Sequence, residues 1–274
     1  RYKDLAPWYE YVEGYIGVSG KNVDRPEFPN GNYLKPMDLN CVEDHLQESL
    51  RKNYNDRLLT IGRTAIITEG TKPGLGRASC QYRQRCRRGC PYGAYFSSNS
   101  STLPAAEKTG NMTLRPNSIV HEVIYDANKN RATGVRVIDT ETKEVFEFSA
   151  KVIFLCASTV ASTSILMQSK SDAFPNGMGN NSDQLGRNMM DHHLGVGASA
   201  ETDDFEDKYY FGRRNNGIYI PRFRNIGGKT NRADFLRGYG YQGGGSRNNW
   251  KSKVAELGYG VEFKKEVLNK RNYF

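Results

Sequence analysis

The chain has 274 residues, of which 37% are hydrophobic and 25% charged, a balance that suits a globular protein and excludes disordered and collagen-like classes. Its longest purely apolar run, Val152 to Ala157, is far short of the roughly 18 residues a membrane-spanning helix needs. Thirty-nine Lys and Arg against 30 Asp and Glu leave a net charge of +9, which favours an acidic partner surface, a polyanion or an anionic cofactor. The opening Arg1-Tyr2-Lys3-Asp4 carries neither an initiator Met nor a nucleotide fingerprint, and reads as a piece of a longer chain.

In chain order, the aromatic stretch Tyr2 to Gly20 predicts a short helix closed by the Gly17-Val18-Ser19-Gly20 turn, followed by a proline-bearing loop over Arg25 to Met37. Asn40 with Glu43 three residues on forms a capping box, and Val42, Leu46 and Leu50 give one apolar stripe to a helix running to about Tyr54. A strand is expected over Leu58 to Ile67. From Thr71 to Ala106 there is no acidic residue, while Lys72, Arg77, Arg83, Arg85, Arg87 and Arg88 make the segment an irregular, positively charged loop. A helix over Thr102 to Lys108 precedes three β-like runs, Ile119 to Tyr125, Thr133 to Ile138 and Glu144 to Phe148, spaced as a meander.

The run Lys151 to Ala157, continuous in apolar residues, predicts a strand buried on both faces that feeds a helix from Thr159 to about Ser169 and belongs to a parallel sheet. Beyond His193 the Gly- and Tyr-rich texture predicts strands over Leu194 to Ala200, Gly217 to Arg224, Phe235 to Gln242 and Gly258 to Lys264, with a domain boundary near residue 195.

Cys80, Cys86 and Cys90 read C-x5-C-x3-C ahead of Pro91, three of the five cysteines within one Gly- and Arg-rich loop. Three thiolates without a nearby His suit an iron–sulfur centre better than structural zinc, and the arginines would offset its negative charge. The alternatives are one disulfide with a third thiol left over, or three separate buried thiols. Gly238-Tyr239-Gly240-Tyr241-Gln242-Gly243 matches G-x-G-x-x-G, but no βαβ unit surrounds it and it is rejected as a dinucleotide site. Asp191 with His192 and His193 fits a structural Asp–His hydrogen bond better than a general base. Tyrosines interleaved with arginine after residue 208 suit a half-buried sheet rather than nucleic acid.

Three ordered blocks carry a resemblance: Asn111 to Pro116 with Val120, the run Val152 to Leu166, and Leu185-Gly186-Arg187-Asn188-Met189-Met190-Asp191-His192. Together they resemble the glucose–methanol–choline (GMC) oxidoreductases, which read AAGALxSPxLLLxSG at the second block and GxNLxDH at the third. This chain has Ser158 and Thr163 where the family has Gly and Pro, and Lys170 at the later Gly. The opening Tyr2 to Tyr9 with Gly17 to Gly20 is similar to the segment following the first third of such enzymes.

The resemblance implies an α/β fold, α+β overall: part of an FAD-binding Rossmann-like domain with a β-meander, plus a mainly antiparallel substrate-domain sheet. Residues 1–70 would be a lead-in packing between domains, 71–195 the partial FAD-binding domain and 196–274 the partial substrate-binding domain. It implies an FAD-dependent dehydrogenase acting on the CH–OH group of a sugar, polyol or related alcohol, with Val120 bonding the adenine through its backbone and Cys156, Ala157, Ser158 and Thr159 passing beside the FAD. Cys80, Cys86 and Cys90 before Pro91-Tyr92-Gly93-Ala94 are similar to the iron–sulfur branch of sorbitol, gluconate and glucose dehydrogenases, which implies a 3Fe-4S cluster and a cytochrome or small-subunit electron acceptor. The family's phosphate loop and catalytic histidines fall outside this chain, so none of its residues is expected to be catalytic, and alone it should be inactive. A non-enzymatic module whose basic loop docks an acidic partner is the alternative from another class.

Overall fold

The computed structural model describes residues 1–83, 86–192, 195–205, 207–208, 216–247, 259–268 and 272–273. It divides into two compact units, one of Arg1–Met112 with Ala198–Phe274, the other of Thr113–Gly197.

In the first unit, helix α1 (Tyr2–Ile16) ends at Gly17, whose left-handed backbone (φ 80°) lets its N–H donate to the Glu13 carbonyl. Helix α2 (Cys41–Asn53) starts with the expected capping box, Asn40 Oδ1 accepting from the Glu43 N–H at 3.0 Å and a Glu43 carboxylate oxygen accepting from the Asn40 N–H at 2.9 Å. The same two side chains reach two hundred residues along the chain. Glu43 also accepts from the Gly245 N–H at 3.2 Å, and Asn40 Nδ2 donates to the Gly245 carbonyl at 2.8 Å. Val42 is buried beneath this tether, and Leu46 and Leu50 are half-buried on the same stripe.

Strand β1 (Thr60–Ile61) is only a fragment of the strand expected over Leu58 to Ile67. Beyond it the backbone bonds change partners residue by residue, Ser19 with Thr64 and Ile66 with Tyr95, so no continuous ladder forms. The small core here is Met37, Ile66, Ile67 and Ala94. Helix α3 (Thr102–Glu107) follows the basic loop as expected.

The second unit holds the meander. Strands β2 (Ser118–Asp126), β3 (Arg131–Asp139) and β4 (Val145–Ser149) pair antiparallel in that order, so β2 and β4 are both edges. Arg136 on β3 ties the three together, donating to Glu122 and to Glu147, each at 2.8 Å. Helix α4 (Thr159–Gln168) buries Ile165, and Ser169 just beyond it accepts from the Val123 N–H at 2.8 Å while donating to the Ile165 carbonyl at 2.7 Å.

Lys151 to Ala157 departs from expectation, because the run forms no strand and is largely open to solvent, Val152 being 67% and Phe154 84% exposed. A strand buried on both faces needs flanking strands for its backbone and helices over both faces, and the described residues supply neither. The parallel sheet is therefore absent among the described residues, whose sheets are all antiparallel.

Returning to the first unit, β5 (Glu201–Thr202), β6 (Ile218–Ile220), β7 (Tyr241–Gly243), β8 (Ser246–Arg247) and β9 (Asn272–Tyr273) form two small antiparallel sheets, β1-β6-β7 and β5-β9-β8. These strands are shorter than expected. Residues 195–200 contain none, and Leu194 lies outside the described residues. Of the strand expected over Gly258 to Lys264, Gly258 lies outside the described residues and residues 260–264 instead begin helix α5 (Gly260–Leu268), which carries helix-forming Glu and Lys and is braced by Lys265 to Glu262 at 2.8 Å. Among the described residues no helix is long and apolar enough to cross a membrane.

Candidate functional site

The cysteine loop is organised by a residue the sequence marked only as one of many basic ones. Arg77 is buried, and its guanidinium donates to the Gly93 carbonyl (2.9 Å), Ser101 Oγ (3.0 Å) and the Ile16 carbonyl (2.9 Å) that ends α1. None of these acceptors is a carboxylate. Burial lowers the Arg77 pKa, and the neighbouring Cys90 opposes that shift. Two glycines make room for it: a Cβ at Gly74 would lie 2.7 Å from Arg77 Cδ, and one at Gly93 would lie 3.0 Å from Arg77 Cγ. A basic residue flanked at loop distance by glycines was the available signal.

Cys80, Cys86 and Cys90, the expected cluster ligands, lie in one loop. Among the described residues no group of three or more His, Cys, Asp or Glu side chains is gathered as a metal ion would require. Cys80 and Cys90 pack as small apolar groups against the Met37, Ile66, Ile67 and Ala94 core, whereas Cys86 begins a separate 3-10 turn, Cys86–Arg88. All three are half-buried, and no disulfide joins the cysteines. Burial pushes the Cys80 thiol up, partly offset by the Tyr82 N–H that bonds its sulfur at 3.4 Å. Nearby, Lys72 and Lys108 line an open cleft of about 600 Å³ with Tyr15 and Thr71, a surface suited to anions.

The residues expected beside FAD lie in the second unit. Val120 sits half-buried on edge strand β2, where the pairing slips between Val120 and Glu122. His121 is the extra residue of that bulge, its Nε2 buried without a hydrogen-bond partner among the described residues. An orphaned nitrogen beside Val120 fits a bound polar group.

The crossover Cys156-Ala157-Ser158-Thr159 is exposed throughout and enters α4. Ser158 has φ 69° and ψ 170°, a conformation open essentially to glycine alone and costing about 1–3 kcal/mol for other residues. It occupies the position where the GMC pattern has Gly, so the backbone geometry survives although the residue does not. Its side chain makes no capping bond, leaving the first turn of α4 without a side-chain cap. The donors of this turn and the open face above it fit a flat, partly anionic cofactor.

Asp191 and His192 interact only with each other in the contacts seen, the carboxylate accepting from the His192 N–H at 2.6 Å and lying 3.0 Å from Nδ1; His193 lies outside the described residues. Both side chains are exposed, which agrees with a local structural bond. The rejected Gly238 to Gly243 motif ends in β7, and a Cβ on Gly238 would collide with Arg222, so close strand packing explains these glycines.

The meander, the glycine-like entry to α4 and the apolar crossover before it make up a unit of mixed α/β type. Residues 69–194 match the family model described as GMC oxidoreductase, and the chain belongs to that family. Similar proteins include the fructose dehydrogenase large subunit of Gluconobacter japonicus, 30% identical over 211 residues that cover 73% of this chain and 36% of the relative. The 2-methyl-1,2-propanediol dehydrogenase of Mycolicibacterium austroafricanum is 28% identical over 254 residues, covering 88% of this chain and 42% of the relative. The 6'''-hydroxyparomomycin C oxidase of Streptomyces lividus is 26% identical over 216 residues, covering 75% and 38% respectively. The chain thus spans about two-fifths of the length of the curated relatives it matches.

Proposed function

We propose that the whole protein is an FAD-dependent oxidoreductase that oxidises the CH–OH group of a sugar, polyol or related alcohol. The supporting observation is Ser158, held in a glycine-only conformation at an exposed, uncapped entry to α4, where the family's own residue is Gly. FAD, when bound, supplies the hydride-accepting chemistry. The chain's part is to hold it: Val120 bonds the adenine through its backbone, and Cys156, Ala157, Ser158 and Thr159 form the wall beside it. In this reading 71–195 is part of the Rossmann-like FAD domain and 196–274 part of the substrate side. None of its described residues is assigned the proton transfer, since Asp191 and His192 are occupied with each other. The relative named a large subunit supports a partner subunit for the whole protein, and a cytochrome or small subunit as its electron acceptor is part of this reading.

The test is flavin content and dye-linked turnover of the whole protein across hexoses, hexitols and short diols. One flavin per chain and turnover of at least one of these alcohols are expected, with Ser158→Trp losing flavin at unchanged helix content. A folded whole protein without flavin, or with flavin but no alcohol turnover, overturns the reading.

A further inference from the structure

The open cleft of about 600 Å³ in the first unit is walled by three separate stretches of the chain: Tyr15 near the end of α1, Thr71 to Gly74 at the start of the basic loop, and Ala105 and Lys108 in and just after α3. Arg77 ties these walls together. Its Nη2 donates to the Ile16 carbonyl next to Tyr15, its Nη1 to Ser101 Oγ at the start of α3, and its Nε to the Gly93 carbonyl. Ser101 Oγ donates in turn to the Pro73 carbonyl at 3.2 Å, and the Leu75 N–H to the Ser100 carbonyl at 3.1 Å. Gly74 has no room for a side chain, since a Cβ there would meet the Ser100 carbonyl oxygen and Arg77 Cδ. The walls are therefore fixed by bonds that leave the lysines on them free to face a guest. No Asp or Glu is among the lining residues. Lys72 has no hydrogen-bond or ion-pair partner among the described residues, and Lys108 Nζ has one neutral acceptor, the Gly74 carbonyl at 3.3 Å. Arg77, bonded to neutral oxygens, adds a third positive charge against Gly74.

We propose that this cleft binds a phosphate monoester of sugar-phosphate size, one per chain, with Lys72 and Lys108 on its phosphoryl group. The donors decide the kind of anion. A planar carboxylate is matched best by the fork of a guanidinium, and the guanidinium that borders this cleft is engaged through all three of its nitrogens on neutral oxygens. Ammonium groups are compact point charges that suit a tetrahedral dianion, and the Tyr15 and Thr71 hydroxyls add neutral donors for its remaining oxygens. The volume decides the size. Small-molecule sites hold roughly 300–1,000 Å³, so this cleft has space for a carbon skeleton beyond the phosphoryl group, and Pro73, Gly74 and Ala105 give that skeleton a low apolar wall. Because the cleft is open, the attraction is screened by salt and binding weakens as ionic strength rises. This inference does not depend on the flavin reading, whose residues lie in the second unit.

The whole protein is titrated calorimetrically with glucose 6-phosphate at low ionic strength, with inorganic phosphate, succinate and glucose as comparison ligands. One glucose 6-phosphate per chain is expected, inorganic phosphate binding more weakly, succinate more weakly still, and glucose not displacing it. Charge-assisted bonds of this kind are worth enough that Lys72→Ala and Lys108→Ala should each weaken binding about tenfold, and the double variant should lose it, at unchanged helix and flavin content. In the wild type, glucose 6-phosphate should slow acetylation of Lys72 and Lys108 by acetic anhydride, mapped by peptide mass spectrometry, while Lys143 and Lys229 react as before. Absence of binding, displacement by glucose, binding that survives in the double variant, or succinate or inorganic phosphate binding as tightly as the ester would each overturn the inference. The wild-type acetylation map decides the matter even where the variants fail to fold: unprotected Lys72 and Lys108 under saturating glucose 6-phosphate would place the ligand elsewhere.

Discussion

The basic loop around Arg77 and the crossover around Ser158 solve opposite problems. The loop buries a charge and satisfies it internally, with three neutral oxygens and two glycines shaped around one guanidinium. The crossover does the reverse, exposing Phe154 and Val152 and holding a serine in backbone geometry that favours glycine. A buried polar group with all partners present is self-sufficient structure. Exposed apolar surface beside strained backbone marks a place shaped for something that covers it.

The largest way to break this contrast is Arg77→Ala. It leaves the Gly93 and Ile16 carbonyls unanswered and opens a cavity, at a cost of about 3 kcal/mol, read as a lowered denaturation midpoint. Ser158→Gly moves the other way, with stability rising by about 1 kcal/mol in the same titration as the left-handed strain is relieved. Phe154→Ser should shift the midpoint of this chain by less than about 0.5 kcal/mol, because an exposed ring has little packing to lose. A cost comparable with that of a core substitution would show that the crossover is covered within this chain.

The smallest effect concerns pH. The Thr142 and Glu141 N–H groups, then Arg115, hold the Asp139 carboxyl below its ordinary value at the turn between β3 and β4. A carboxyl whose folded pKa is depressed contributes stability above the unfolded value of about 3.9 and loses it as pH falls through the folded one. Thermal unfolding followed from pH 6 down to pH 2 should therefore show a loss of stability that Asp139→Asn flattens.

The meander was legible because β2, β3 and β4 alternate and are separated by Asp- and Asn-bearing turns, and the capping box of α2 because its signal lies within four residues. Thr159 to Gln168 was legible too. The run 152–157 was not, since burial on both faces is a property of neighbours and no local pattern states whether they are present. Helix α5 was misread from its Gly- and Tyr-rich surroundings, although its own Glu, Lys and Leu favoured a helix. At the candidate sites, cysteine spacing suggested three converging ligands, whereas the packing of Cys80 and Cys90 on one small core is a property of the fold that no local pattern states. Arg77 and His121 were missed because burial and an orphaned nitrogen arise only from the fold.

The pairing of β6 with β7 narrows what mutation can reach. A Cβ built on Gly217 would lie 1.7 Å from the Gly243 carbonyl oxygen, far closer than two non-bonded atoms can stand. Every amino acid one nucleotide change away from glycine carries a Cβ. Codon drift at position 217 therefore has no intermediate stop: each missense step must push β7 aside, together with the Gly245 tether to Glu43 two residues beyond its end.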